Sequence, residues 1–362
     1  MKNWVLRICT LVLISLLCVG LVSCQEEKEI EITADETFEI HTEKQKGFLE
    51  NSYDLVSLYA KGAEELSKPN PVVVKWEIEN ASDVMEYKFV LSEFEDFSIN
   101  RTFVVNTNEV SIKNLKIHTL YYWYVEYLQN NTVKTTPTKT FVIANKTPRN
   151  LDIEGLTNVR DLGGYKLGVN KYIKQGMIYR SSRLNENETT DLLITENGIK
   201  EMVDILGVKT ELDIRDAGEN ENGGITVSPL GENVKYISIS MKSGGSNYLT
   251  INKNVIKDVF SVFGQENNYP VVIHCSIGTD RTGLICFFIN ALLGASEEDL
   301  YRDYLFSNFG DIGRRRVPDA IDEYLKEVNA AKGNNLSEKT YNYLISIGVN
   351  SQDLDTIIRV MK

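Results

Sequence analysis

The chain has 362 residues, of which 42% are hydrophobic and 25% charged, and its formal net charge is −12. This length predicts two domains, and the composition is typical of a folded protein rather than a disordered one. The negative charge, without any long block of Lys and Arg, excludes nucleic acid as the main partner, because binding to a phosphate backbone requires clustered cations.

The first residues have the pattern of an export signal. Lys2 and Arg7 give a basic start, and residues 8–22 form an uncharged run that is shorter than the ~20 residues of a membrane-spanning helix. The run ends in Leu-Val-Ser before Cys24, which resembles a bacterial lipoprotein signal. The resemblance implies that residues 1–23 are removed, that Cys24 carries a lipid, and that the protein is anchored on the periplasmic or cell-surface face of a bacterial outer membrane. An ordinary cleaved signal with an incidental Cys is the alternative.

Residues 24–69 are predicted to be a polar tether with a short helix near Tyr53–Leu66, and strand patterns begin at Pro71. Short alternating runs separated by Asn, Asp, Ser and Thr predict an antiparallel sandwich over residues 70–146. Trp76, Leu115 and the aromatic stretch 119–125 resemble a fibronectin type III module of the immunoglobulin-like class. Its aromatic residues are interpreted as core, and the module as a spacer or docking unit without chemistry. The predicted strands are Val74–Glu79, Tyr87–Leu91, Phe103–Val105, Val110–Leu115, Tyr121–Tyr127 and Lys139–Ile143.

From residue 150 to residue 362, strand and helix patterns alternate. Such alternation predicts an α/β domain with a mostly parallel central sheet flanked by helices. The predicted strands are Met177–Tyr179, Lys209–Arg215, Lys235–Met241 and Val271–His274; the predicted helices are Thr190–Leu206, Asn252–Phe263, Leu284–Leu293 and most of the remainder from Ser296 onward.

The run from Val271 to Gly283 places a Cys at the end of a buried strand, then a five-residue loop, an Arg and a helix. The backbone N–H groups of such a loop, together with the positive end of the helix, can surround a tetrahedral dianion. Arg281 can bind two phosphate oxygens, and the same positive field should lower the pKa of Cys275 and give the reactive thiolate. The predicted phosphate-binding residues are Ser276, Ile277, Gly278, Thr279, Asp280 and Arg281.

This strand–Cys–x5–Arg–helix pattern resembles the signature loop of cysteine-dependent tyrosine phosphatases, and the string His-Cys-x-x-Gly-x-Asp-Arg-Thr-Gly resembles their bacterial tyrosine/serine branch. The resemblance implies that Cys275 attacks phosphorus to form a phosphocysteine that water hydrolyses, without a metal or other cofactor. The most probable substrate is a phosphorylated protein or a small phosphoester, and some members of the branch act on phosphoinositides. Further matching segments are Asn158–Gly164, Tyr179–Ser182, Leu212–Arg215 and Asp303–Leu305.

The reaction needs an acid to protonate the leaving oxygen, and the resemblance favours Asp280 beside the loop Arg. The alternative is that Asp280 pairs with Arg281 or caps the helix, in which case Asp213 or Asp216 would take the role. Thr282 is predicted to donate to the Cys275 sulfur, and His274 to organise the loop. The acids Glu219, Glu221, Glu232, Asp258 and Glu266 precede the loop, but none lies on the glycine-rich segment Lys242–Asn247.

Further charged residues have two interpretations. Arg160, Arg180 and Arg215 either add positive charge around the pocket or pair with acids such as Asp161 and Asp213. The run Arg314–Arg316 is interpreted as a solvated face, and Cys286 as a packed core thiol. Thr279 stands where the branch often has Lys, which weighs against phosphoinositide substrates.

Two rival functions are a rhodanese-like sulfurtransferase and a non-catalytic phosphoprotein-binding lipoprotein. The Asp-Arg-Thr-Gly ending of the loop favours the phosphatase over the first, and the intact Cys, Arg and Asp favour it over the second. The natural substrate, whether phosphotyrosine, phosphoserine, a sugar phosphate or a lipid, stays open at this point.

Overall fold

The computed structural model describes residues 29, 31–62, 66–79, 84–185, 193–244 and 247–362. The predicted export signal and Cys24 lie outside these residues. Residues Ile32–Lys362 form one structural unit. Within the described ranges, no helix has both the length and the apolar character needed to cross a membrane.

A β-sheet region lies within about the first third of this unit, between Glu36 and Ile143. Its larger sheet has the strand order β1-β8-β6-β3-β4, with β7 pairing with β6, and β2 pairs with β5 in a separate two-stranded sheet. Phe89, Trp123 and Phe141 from the larger sheet and Val74 and Trp76 from the chain at β2 are buried in one core, as the alternation of apolar and polar residues predicts. The strands are β1 Glu36–Phe38, β2 Val72–Lys75, β3 Tyr87–Ser92, β4 Arg101–Val105, β5 Glu109–Ile112, β6 Leu120–Gln129, β7 Thr132–Thr135 and β8 Lys139–Ile143.

The prediction of a tether over the whole of residues 24–69 is wrong. Strand β1 pairs in parallel with β8, and helix α1, Glu43–Glu50, begins with a complete capping box at Thr42. Phe48 is fully buried in the same apolar cluster as the core of the α/β region. The sequence of this helix has only weak apolar periodicity, so it did not predict a helix. One turn of apolar residues is sufficient here, because the α/β region supplies the rest of the core. The short helix predicted from Tyr53 is shorter than expected, a 3₁₀ turn followed by α2, Val56–Tyr59.

The α/β region contains the predicted, mostly parallel sheet. The strand order is β14-β13-β15-β12-β9, and only β9 runs antiparallel to its neighbour. Strand β15 lies at the centre, and all four of its residues are buried. The strands are β9 Arg160–Asp161, β10 Lys166–Gly168, β11 Lys171–Tyr172, β12 Ile178–Ser181, β13 Thr210–Asp213, β14 Lys235–Ser238 and β15 Val271–His274.

The helices of this region pack around the sheet. Helix α6 follows the central strand, and every residue in it after Asp280 is buried, which explains why its sequence is apolar on all sides. The predicted helical C-terminal part is confirmed. The helices are α3 Glu196–Lys200, continued by a π-helical turn Glu201–Ile205, α4 Tyr248–Asn252, α5 Ile256–Phe263, α6 Asp280–Leu293, α7 Glu297–Phe306, α8 Asp319–Asn329, α9 Leu336–Ser346 and α10 Ser351–Met361.

Candidate active site

The loop between β15 and α6 closes tightly around its own backbone. Cys275 follows the last residue of β15 and is 2% exposed. Gly278 has a φ of +69°, and a Cβ atom there would lie 2.1 Å from the Ser181 carbonyl oxygen. Only glycine fits this position, because a side chain would meet both the unfavourable backbone conformation and the end of β12.

Two arginines behind the loop are structural ion-pair partners. Arg180 donates to the Gly278 carbonyl at 2.7 Å and pairs with Asp303 at 2.5 Å. Arg160 pairs with the same carboxylate at 2.9 Å. All three residues are buried. The structure therefore gives Arg160 and Arg180 the second of the two predicted roles, although Arg160 pairs with Asp303 rather than with Asp161.

Asp161 supports the neighbouring turn. It pairs with Arg149 at 2.7 Å and accepts from the backbone N–H groups of Gly163 and Gly176. On the other side of the loop, the Asn158 side chain donates to the Ile277 carbonyl at 3.0 Å. The matched segment Asn158–Gly164 thus contacts the loop through Asn158.

A buried acidic cluster lies under Cys275. Possible ligand atoms of Glu211, Asp213 and His274 lie within 4.8 Å of one another, which is a spacing that a metal could use. Burial lowers the pKa of His274, but the two carboxylates outweigh it and raise the pKa overall. His274 Nε2 lies 2.9 Å from a carboxylate oxygen of Glu211, so these two side chains also form a buried hydrogen bond. Asp213 is also paired with Arg215 at 2.6 Å. Arg215 is therefore an ion-pair partner, which is the second of its two predicted roles.

The environment of Cys275 favours its thiolate. Burial alone would raise the pKa of the thiol, but the charge of Arg281 and the hydroxyl and N–H of Thr282 lower it below its usual value. The Thr282 hydroxyl is fully buried and has no hydrogen-bond partner among the described residues. Its donation to the Cys275 sulfur therefore stays a prediction.

At the mouth of the loop, Arg281 is fixed by a carboxylate that sequence reasoning passed over. Glu221 accepts from both terminal nitrogens of Arg281 at 2.6 Å, and also from the Ser276 hydroxyl. Burial opposes its ionisation, but these partners lower the pKa of Glu221 to about 2. The sequence did not favour a role for Glu221, because this residue is outside the glycine-rich segment Lys242–Asn247. The segment after β13 nevertheless brings Glu221 to the loop. The feature of the sequence that could have indicated this contact is its closeness to the matched segment Leu212–Arg215.

Asp280 turns away from Arg281. Both of its oxygens accept from Arg316 at 2.8 Å, and the Tyr304 hydroxyl donates to it at 3.3 Å. Neither expected alternative, a pair with Arg281 or a helix cap, describes this geometry. The prediction of a solvated Arg314–Arg316 face is wrong for Arg316, which is 6% exposed, although its two neighbours are exposed. A run of three arginines does not predict this ion pair, because the sequence does not show which of the three side chains points into the protein.

Asp213 and Asp216, the alternative acids for proton transfer, are both hydrogen-bonded to other groups. Asp213 has no exposed surface and is occupied by Arg215 and by the Tyr236 hydroxyl. Asp216 accepts from the Gly218 N–H and the Ser240 hydroxyl, as the start of a 3₁₀ turn. The other remaining thiol, Cys286, is fully buried in α6, where burial raises its pKa to about 12, as expected of a core thiol.

A model of the tyrosine phosphatase family matches residues 151–347, which is more than half of the chain. The chain belongs to the tyrosine phosphatase family. A Cupriavidus necator protein provisionally named a tyrosine-protein phosphatase is 24% identical over 182 residues, which cover 44% of this chain and 63% of that protein. A Meyerozyma guilliermondii protein with the same provisional description is 27% identical over 93 residues, 25% of this chain and 50% of that one. The chain thus spans less than two thirds of the length of either relative.

Two solved structures are similar to part of this chain at low identity. The core catalytic domain of the PP-IP phosphatase Siw14 from S. cerevisiae is 19% identical, covering 41% of this chain and 80% of that one with a TM-score of 0.29. TpbA from P. aeruginosa is 18% identical, covering 54% and 96%, with a TM-score of 0.32.

Proposed function

We propose that this protein hydrolyses phosphomonoesters, with Cys275 as nucleophile and phosphotyrosine in protein as the substrate class. The observation that carries the proposal is the loop itself: a thiol of lowered pKa, beside a fixed Arg281, at the buried start of α6. A thiolate at the end of a strand and a helix N-terminus with a fixed cation suit attack on a dianion.

The reaction has two steps. The Cys275 thiolate attacks phosphorus, the bond from phosphorus to the ester oxygen breaks, and that oxygen takes a proton from Asp280. Water then attacks the phosphocysteine and gives a proton to the Asp280 carboxylate. The phosphorus–sulfur bond breaks, which releases phosphate and restores the thiolate. The N–H groups of residues 276–281 and the guanidinium of Arg281 stabilise the charge on the phosphoryl oxygens, and Thr282 stabilises the leaving sulfur.

Asp280 is proposed as the acid for two reasons. It lies in the first turn of α6, next to Arg281, and its charge acts on the Cys275 thiol. Its side chain keeps 14% exposure, so a substrate can reach it. Glu221 is less suited, because its carboxylate is bound by the Ser276 hydroxyl and by Arg281, the cation proposed to hold the phosphoryl oxygens.

The test of the nucleophile uses the two thiols as a matched pair. Cys275→Ser should abolish hydrolysis of an aryl phosphate, whereas Cys286→Ser should retain it, with circular dichroism showing both folds intact. Hydrolysis by the unchanged protein should continue in chelator and stop with vanadate. Full activity of Cys275→Ser would end the proposal, and cyanide-dependent conversion of thiosulfate without phosphatase activity would support the sulfurtransferase instead.

We also propose that residues 70–146 are a fibronectin type III-like module that acts as a spacer or docking unit. The buried aromatics Trp76, Phe89 and Trp123 between its strands support this proposal. We further propose that the mature protein begins at lipidated Cys24 on a bacterial outer membrane, on the strength of its export-signal pattern. Mass spectrometry of the membrane fraction should find an N-terminal lipid on Cys24; an unmodified Cys24 or cleavage elsewhere would refute this.

A further inference from the structure

A second cleft lies between the β-sheet region and the α/β region. Its volume is about 450 Å³, and it is lined by residues of β3 and β4, the segment 114–116 and the segment 174–179. Its apolar part includes Phe94 and Ile99, which are 48% and 69% exposed. No residue of the catalytic loop lines it, so the inference below does not depend on the proposed function.

Some of the cations that line the cleft have an ion-pair partner among the described residues, and others do not. Lys116 pairs with Glu93 at 2.8 Å, and Arg149 pairs with Asp161 at 2.7 Å. The Arg101 side chain has no hydrogen bond and no ion pair with any described residue; its guanidinium lies over the Phe103 ring, 5.1 Å from the centroid. Burial lowers the pKa of Arg101 although the charges of Glu201 and Glu93 oppose this shift, so these acids do not fully replace the water that the guanidinium loses. Such desolvation is costly unless an anion compensates for it.

A buried donor faces the same space. The Tyr121 side chain lines the cleft and is 3% exposed, and its oxygen accepts from the Lys116 N–H at 2.8 Å. No acceptor for its own proton is found in the described part of the chain. A buried hydroxyl without an acceptor is uncommon in native proteins. Arg101 and Tyr121 both line the cleft, so one anion bound there can take a hydrogen bond from each.

We propose that this cleft binds a small organic anion, with a carboxylate or phosphonate-like head on Arg101 and Tyr121 and an apolar body against Phe94 and Ile99. Lys174, which also lines the cleft and forms no ion pair with described residues, adds positive charge at its edge. The cations that line the cleft outnumber its one acid, Glu93, so the site selects against neutral and cationic ligands. An apolar wall with a few convergent polar groups is the usual composition of a small-molecule site.

Calorimetric titration of the whole protein with phenylphosphonate tests the proposal, because its phosphorus–carbon bond is not an ester that the enzyme can cleave. Arg101→Gln should weaken binding by about tenfold or more, and Tyr121→Phe by about threefold, as expected for charged and neutral hydrogen bonds. Lys88→Gln makes the same change of charge on the exposed face of β3 and should leave binding unchanged. Phenylacetate identifies a carboxylate ligand, and benzyl alcohol, which has no charge, should not bind.

Phenylphosphonate can also enter the catalytic loop, so each titration is repeated with Arg281→Gln. Cleft binding should persist there and be lost in Arg101→Gln. Binding that disappears in Arg281→Gln and is unaffected in Arg101→Gln overturns the proposal, as does binding of neither anion. A thermal melt gives an independent check. Arg101→Gln should be at least as stable as the unchanged protein without ligand. In the Arg281→Gln background, phenylphosphonate should raise the melting temperature only when Arg101 is present.

Discussion

The charges behind the catalytic loop and those at its mouth are paired in different ways. Behind the loop, Arg160 and Arg180 share Asp303, whose side chain is 6% exposed. At the mouth, Arg281 is paired with Glu221, whose side chain is 20% exposed. A ligand can compete for the second pair but cannot reach the first. The difference indicates that the inner pairs fix the loop, whereas the outer pair keeps a cation in place for phosphate.

The largest effect is expected from the acid at the mouth. Asp280→Asn should slow hydrolysis of phosphotyrosine by about 10²–10⁴-fold, because its leaving group requires a proton. A strongly activated aryl phosphate, whose leaving group needs none, should lose much less. The variant should also flatten the acid-requiring limb of the pH–rate profile. Steady-state kinetics with both esters make the measurement.

Equal losses on the two esters would contradict acid catalysis by Asp280. The residue would then be a positioning group that acts through Arg316, and Arg316→Gln should reproduce the loss. Arg314→Gln, a change of the same charge at an exposed neighbour, is the matched control and should leave both rates unchanged.

Behind the loop, the expected effect is on stability. Asp303→Asn removes the carboxylate that two buried guanidiniums share, and leaving buried charges unpaired costs about 3–5 kcal/mol. Urea unfolding should show this loss as a lower midpoint. Asp311→Asn, at an exposed carboxylate, is the control. A loss below about 1 kcal/mol, the size measured for surface pairs, would mean that the inner pairs do not fix the loop.

The smallest effect concerns pH and the outer pair. The folded-state pKa of Glu221, about 2, lies below the usual value of 4.5, so its ionised form stabilises the fold above pH 4.5 and that contribution disappears as pH falls towards 2. Glu221→Gln lacks this contribution, which is about 2 kcal/mol at neutral pH. The stability difference between the two proteins should therefore narrow between pH 4.5 and 2. A difference that does not change with pH would show that Glu221 is not ion-paired in solution.

The sequence determined the strand–loop–helix around Cys275, because each part of it is local. An apolar run ends at a Cys, Gly278 occupies the position of the loop that has a positive φ, and an apolar helix begins at Asp280. The parallel sheet was equally predictable from the alternation of strands and helices. These features depend on the order of residue types along the chain, which sequence displays directly.

Only the tertiary structure decided which charges meet. Glu221 reaches Arg281 from 60 residues away, Arg316 reaches Asp280 from 36 and Asp303 reaches Arg160 from 143. A carboxylate and a guanidinium attract each other wherever the fold brings them together, so residue type alone does not select the pair. The same reason explains the folded segment after Glu36, whose Phe48 is buried only because the α/β core covers it. Local patterns specify elements, whereas partners are fixed by how those elements pack.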